Sequence, residues 1–160
     1  MKILFIQTGG TIDKIYPKIK GYAFEIDEPA IKNILERIEP CFEYEIIPLM
    51  KKDSSDIDED DREKIFQYCK RSKYDKIIIT HGTDTMVETA RKLSSIKDKA
   101  MILTGAFQPE AFKQSDAEFN LGTAIGAINV IDYGVYIAMN GRVYRWEHCK
   151  RDRQARFVEK

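Results

Sequence analysis

Apolar side chains fall in short runs along this chain, and the spacing within and between the runs predicts its elements. Ile3–Gln7, Phe42–Pro48, Lys76–Thr80 and Ala100–Thr104 are brief stretches rich in β-branched and aromatic residues, and Gly134–Met139 is a fifth. They read as strands. Between them the period changes. Ile31, Ile34, Leu35 and Ile38 recur at helical spacing behind Asp27-Glu28-Pro29, an acidic entry with proline in the first turn. Ile65, Phe66 and Cys69 form an apolar stripe behind Asp58-Glu59-Asp60-Asp61, whose charge suits the positive end of a helix dipole. Thr85 to Leu93 and Asp116 to Ile131 read as two further helices.

Strands alternating with helices predict an α/β fold: a three-layer sandwich with a mainly parallel sheet, Rossmann-like or flavodoxin-like. No internal repeat, linker or shift of composition interrupts the pattern, so residues 1–160 are expected to form a single domain. The last twenty residues differ from the rest. From Gly141 onward the chain carries Arg142, Arg145, Lys150, Arg151, Arg153 and Arg156, and this stretch reads as a solvated basic tail. Tyr144, Trp146 and Phe157 within it are of the types enriched at interface centres, which makes them candidate anchors for self-association.

Composition narrows the class of ligand. The 160 residues suffice for one core, and 26 basic side chains cancel 26 acidic ones. Nothing in that balance favours nucleic acid or an anionic membrane, whereas a small neutral or zwitterionic ligand fits it. Cys41, Cys69 and Cys149 are odd in number and lack metal-ligand spacing, which reads as reduced thiols in a cytoplasmic protein. The N-terminal run has a single lysine and no small-residue cleavage site, so a first strand is expected there rather than a signal peptide. No apolar stretch approaches the roughly 20 residues of a spanning helix. The acidic run at 58–61 reads as a solvated helix start, and neither a metal nor a cofactor is expected.

In an open parallel sheet, ligands bind beyond the carboxyl ends of the strands, where helix N-termini and loose backbone donors converge. The residues there are Thr8-Gly9-Gly10-Thr11 after the first strand, Asp53-Ser54-Ser55-Asp56 after the second, Thr80-His81-Gly82-Thr83-Asp84-Thr85 after the third and Thr104-Gly105-Ala106 after the fourth. Hydroxyls and carboxylates dominate. The stretches lack both the GxxxxGK[ST] lysine and the GxGxxG spacing, which disfavours a nucleotide site. A threonine hydroxyl becomes a nucleophile only when a base takes its proton. Thr83 and Asp84, with a lysine from the basic tail whose pKa is lowered by burial, could supply such a relay. His81, in a glycine-containing turn, is expected to satisfy backbone groups.

Thr8-Gly9-Gly10-Thr11-Ile12 and Thr80-His81-Gly82-Thr83-Asp84-Thr85-Met86-Val87-Glu88-Thr89-Ala90 resemble the two signatures of the bacterial-type L-asparaginase/glutaminase family. Asp53-Ser54-Ser55-Asp56, Leu103-Thr104-Gly105-Ala106 and Phe119-Asn120-Leu121 support the match in the family's order. The resemblance implies an amidohydrolase that converts L-asparagine to L-aspartate and ammonia through an acyl-enzyme on threonine. It makes Thr11 the nucleophile, with Thr83, Asp84 and a lysine as the second catalytic cluster. Gly10 and Gly82 would let the backbone approach substrate, Ser54 and Ser55 would hold the α-carboxylate, and Thr83 and Asp84 would line the site, Asp84 at the ammonium. Tyr22, better placed than Tyr16, would ride on a mobile lid from Asp13 to Phe24. The lysine is Lys150, with a one-residue shift placing Arg151 there instead.

Family members are typically double this length, and the resemblance covers their N-terminal domain alone. Either an identical subunit completes the site, or substrate recognition is looser, or the chain is a fragment or decayed enzyme that binds without turnover; the faces that the second domain covers in longer relatives make a homo-oligomer the expectation. Two alternatives stay open: an amino-acid binding domain without turnover, and an amidase for another small amide such as glutamine, since one methylene gives only about 1–3 kcal/mol of discrimination.

Overall fold

The structure, a computed structural model, describes residues 1–18, 21 and 23–160. The first strand, β1 (Lys2–Gly9), is apolar on both faces and lies inside the sheet. A short 3-10 turn (Thr11–Asp13) follows it, then β2 (Lys14–Ile15) and β3 (Glu25–Ile26), which pair antiparallel. The chain continues through α1 (Ala30–Ile38), β4 (Glu43–Lys52), α2 (Glu59–Arg71), β5 (Lys76–Thr80), α3 (Met86–Leu93), β6 (Ala100–Thr104), α4 (Ala117–Ile128) and β7 (Gly134–Met139). It ends in β8 (Arg142–Arg145), β9 (Cys149–Arg151) and β10 (Phe157–Glu159).

The main sheet has the order β4-β1-β5-β6-β7-β8, parallel throughout except for β8. This is the expected three-layer α/β sandwich, with the flavodoxin-like strand order. Alternation along β1 sorts the layers. Ile3 and Phe5 face α1 and α4, packing with Ile31, Leu35, Leu121 and Ile128. Leu4 and Ile6 face α2 and α3, packing with Ile65, Cys69, Ala90 and Leu93. The helix starts follow the sequence signals. Asp58 caps α2 by accepting from the Asp61 N–H at 2.8 Å, and the Asp61 side chain returns to the Asp58 N–H. That capping box stabilises the helix by about 1 kcal/mol.

Several expectations need correction. β4 runs to Lys52, past Pro48, because it is an edge strand where a missing N–H costs no ladder bond. The C-terminal stretch is not a solvated tail. Asn140 and Gly141, at φ 52° and 77°, form the two-residue turn that folds β8 back on β7. β9 and β10 then make a second hairpin that lays Cys149 and Phe157 on the α2/α3 face of the core, beside Tyr144. Tyr144 and Phe157 are consequently buried and Trp146 packs against the same cluster, so these three serve their own domain. Of the segment expected as a lid, 13–24, residues 19, 20 and 22 lie outside the described residues, and its start is held in the fold. Asp13 is buried, and Lys14 and Ile15 are paired with β3.

Candidate active site

Strand order in the sheet reverses between β1 and β5, and the connections leaving their carboxyl ends diverge there. Such a switch point leaves a crevice. The loop after β1 and the loop after β5 meet in it backbone to backbone. A Cβ on Gly10 would lie 2.5 Å from both Cα and N of Gly82, and Gly10 itself has φ 89°. A Cβ on Gly82 would lie 2.7 Å from Oγ of Ser54, in the turn after β4. Only glycine permits these approaches. They bring together the loops that carry Thr11, Ser54 and Thr83.

Hydrogen bonds fix the three loops. The Gly10 N–H donates to the Lys52 carbonyl at 2.9 Å. Ser54 Oγ accepts from the Asp84 N–H at 3.1 Å, and its carbonyl accepts from Thr85 Oγ1 at 2.7 Å. Thr8, Thr80 and Thr104 are buried and turn their hydroxyls onto strand carbonyls, Thr8 to Thr80 at 2.8 Å and Thr104 to Ala138 at 2.8 Å. They are clamps of the sheet. Thr11 and Thr83 are only half-buried, at the mouth.

His81 is fully buried beneath the second loop. Its Nδ1 lies 2.7 Å from the Gly82 carbonyl, which can only accept, so Nδ1 carries the proton and Nε2 accepts from the Thr89 hydroxyl at 2.8 Å. Burial, with Arg62 adding a like charge nearby, lowers its pKa to about 4. The imidazole is thus a neutral brace for the Gly82 turn, as expected of it.

The expected site residues divide as follows. Thr11, Thr83, Asp84, Ser54, Gly10 and Gly82 belong to the three converging loops. Ser55 is exposed in the Ser54–Asp56 turn, and Tyr22 lies outside the described residues. The cation at Asp84 is the arginine: Arg151 Nη1 forms an ion pair with Asp84 Oδ1. Successive residues of a strand face opposite ways. In β9 Cys149 and Arg151 face the domain, and Lys150 between them is exposed. Lys150 has no ion pair among the described residues. Two things went unread in the sequence. Asn140-Gly141 is a hairpin signal that places β8 against β7. Asp13, described below, carries no sequence signal.

The chain is matched over residues 2–157 by the family model described as "Asparaginase, N-terminal". It is 39% identical to L-asparaginase 1 of Escherichia coli over 108 residues, covering 64% of this chain and 31% of that protein. With the L-asparaginase of Thermococcus kodakarensis it shares 32% identity over 149 residues, 89% of this chain and 45% of the other. Solved structures superpose over 99% of it: the T. kodakarensis L-asparaginase with a TM-score of 0.85 at 26% identity, and a probable cytoplasmic L-asparaginase from Campylobacter jejuni with 0.83 at 25%. The chain spans 51% and 52% of those two structures, and so about half the length of the relatives it matches. By the family model and these loops together, this chain belongs to the asparaginase family, as its N-terminal domain.

Proposed function

We propose that this domain hydrolyses the side-chain amide of a small amino acid, L-asparagine first, giving L-aspartate and ammonia. Thr11 acts as nucleophile. Its oxygen adds to the amide carbon as its proton passes to a base; the departing nitrogen takes a proton and leaves as ammonia. Water then cleaves the ester, its hydroxyl going to the acyl carbon and its proton returning to the threonine oxygen. Ser54, Ser55 and Asp84 hold the amino-acid head, and Tyr22 closes over it from the segment after Thr11. The observation that carries this reading is the close backbone approach of Gly10 to Gly82, which supports a site built from the loops that bear Thr11, Thr83 and Asp84.

The same site favours a second reading. A guanidinium does not deprotonate in a protein, so Arg151 can orient Asp84 but cannot take the proton of Thr83 or Thr11. A domain that binds an amino acid without turnover is the consequence if no other base reaches the threonine. Acid quenching during incubation with L-asparagine, followed by peptide mapping, separates the two. An aspartyl ester on Thr11 supports hydrolysis, and bound but unmodified protein supports the binding domain. L-Glutamine in the same experiment decides the choice of amide.

We infer a cytoplasmic location and a homo-oligomeric state. Cys69 and Cys149 are buried, with thiol pKa values pushed by burial up to about 12 and about 11, so both stay protonated and unreactive. Among the described residues, no helix is long and apolar enough to cross a membrane. Phe119, Val130 and Tyr133 are the exposed apolar side chains on α4 and just beyond it, and a second copy would cover them.

A further inference from the structure

The turn that carries Thr11 ends on a carboxyl group that water does not reach. Asp13 is 2% exposed, and its Oδ1 accepts from the Ala30 N–H in the first turn of α1 at 2.8 Å. Its Oδ2 is buried without a partner, and so is Oε1 of Gln7 on β1. The Gln7 side chain lies against the Asp13 carboxyl, and its Nε2 is committed to the Asp27 carbonyl at 2.8 Å. Two buried acceptors, Asp13 Oδ2 and Gln7 Oε1, therefore stand unsatisfied, which costs roughly 1–3 kcal/mol for each. Turning the amide over does not help, because Oε1 would then face the Asp27 carbonyl.

One proton satisfies both. We propose that Asp13 is a positioning residue that works as a neutral acid, its Oδ2–H donating to Gln7 Oε1 to close a hydrogen-bond circuit around the base of the segment from Lys14 to Ile26. The circuit runs from Asp13 to Gln7, from Gln7 to the Asp27 carbonyl, and from the Asp27 N–H back to the Asp13 carbonyl at 2.9 Å. The antiparallel pairs Lys14↔Ile26 and Ile15↔Glu25 begin beside it. The proton thus ties the Thr11 turn to both ends of the segment that follows it. For catalysis the consequence rests on Thr11 being the nucleophile; the circuit itself does not.

Charges around the group agree. Lys51 of β4 is the cation that acts on Asp13, and its ammonium is paired with Glu28 at 2.8 Å. Asp27 adds a carboxylate on the return segment; Lys14 pairs with Asp53, and Glu110, whose N–H donates to the Ile12 carbonyl, pairs with Arg37. Burial outweighs the Ala30 and Gln7 contacts and Lys51, and raises Asp13 to about 7. The folded chain then holds a proton that the unfolded chain releases near pH 4, so this group makes stability fall as pH rises between those values. Above neutrality the circuit opens.

The Asp13 carboxyl carbon, followed by NMR in the wild-type chain and assigned with Asp13→Asn, tests the proton directly. A midpoint near neutrality is expected, and one below about pH 5, in the ordinary carboxylate range, overturns the proposal. Thermal unfolding is the second arm. Asp13→Asn, whose Nδ2 donates to Gln7 as the protonated acid does, should gain on the wild type by about 5 °C between pH 5 and pH 8. An unchanged difference between variant and wild type over that range overturns it. Both arms read the chain without substrate, so a failure to hydrolyse amides would count against the proposed function alone. Where hydrolysis is present, its alkaline fall in the wild type should flatten in Asp13→Asn; an identical pH profile denies Asp13 any positioning role.

Discussion

Arg151 reaches across the mouth of the site to Asp84, Nη1 to Oδ1, while Lys150 beside it on the same strand faces solvent. The pair is partly open, with the side chains 26% and 59% exposed, so it contributes at most about 1 kcal/mol to folding. Its weight lies in chemistry. An amine at this position can lose a proton; a guanidinium cannot. Arg151→Lys should therefore raise kcat/KM for L-asparagine by about tenfold or more, the scale of a newly placed general base. Equal or lower turnover in that variant would mean that the arginine is itself the working residue.

Gly10→Ala should damage both fold and site. The added methyl meets the Gly82 backbone at 2.5 Å, where neither chain segment can yield, and the position has positive φ. Urea unfolding should show a loss of about 2 kcal/mol or more. Gly21→Ala, whose Cβ would have no atom of the described residues within 4 Å, provides the contrast: its φ of 66° carries the backbone strain without the clash. A Gly10→Ala variant no less stable than Gly21→Ala would show that the two loops do not touch.

His81 gives an acid-side prediction of the opposite sign to Asp13. Its folded pKa of about 4 lies below the unfolded value near 6.5, so the unfolded chain binds the extra proton between those limits. The stability of the neutral imidazole is complete above pH 6.5 and falls as pH drops towards 4. Compared with His81→Gln, the wild type should lose stability from pH 7 to pH 4.5 in urea titrations. A constant difference would show that the imidazole is not held neutral.

Self-association, if it covers α4, should respond to charge there. Val130 is 83% exposed and Phe119 64%, so glutamate at either leaves the monomer fold intact. Sedimentation velocity is expected to show the wild type larger than Val130→Glu at micromolar concentration. A wild-type monomer under those conditions would remove the homo-oligomer from this account.

The parts of the fold legible in the sequence are those where one physical signal acts alone. β5, β6 and β7 are continuous apolar runs buried on both faces, and their limits fall where the runs stop. The edge strand β4 is mostly half-exposed, so its apolar pattern ends before its pairing does. The basic residues from Arg142 to Arg156 hid three strands, because the buried Tyr144, Cys149 and Phe157 stand singly among charged side chains. Thr11, Thr83 and Asp84, the residues proposed for the site, are local to loops that the motifs mark. Which of Lys150 and Arg151 meets Asp84 depends on the facing of β9, which is set by its pairing with β10, Arg151 opposite Phe157 and Lys150 opposite Val158. The Asp13 circuit joins residues 7, 13, 27 and 30, each unremarkable by itself.

Ammonia release from L-asparagine, measured on the wild type beside Thr11→Ala, tests the central claim most directly. The account predicts release by the wild type and a loss of roughly 10³-fold or more in Thr11→Ala, with circular dichroism and L-aspartate binding retained, because only the attacking hydroxyl is removed. Equal release by the two proteins, or none by either with L-asparagine still bound, would contradict it.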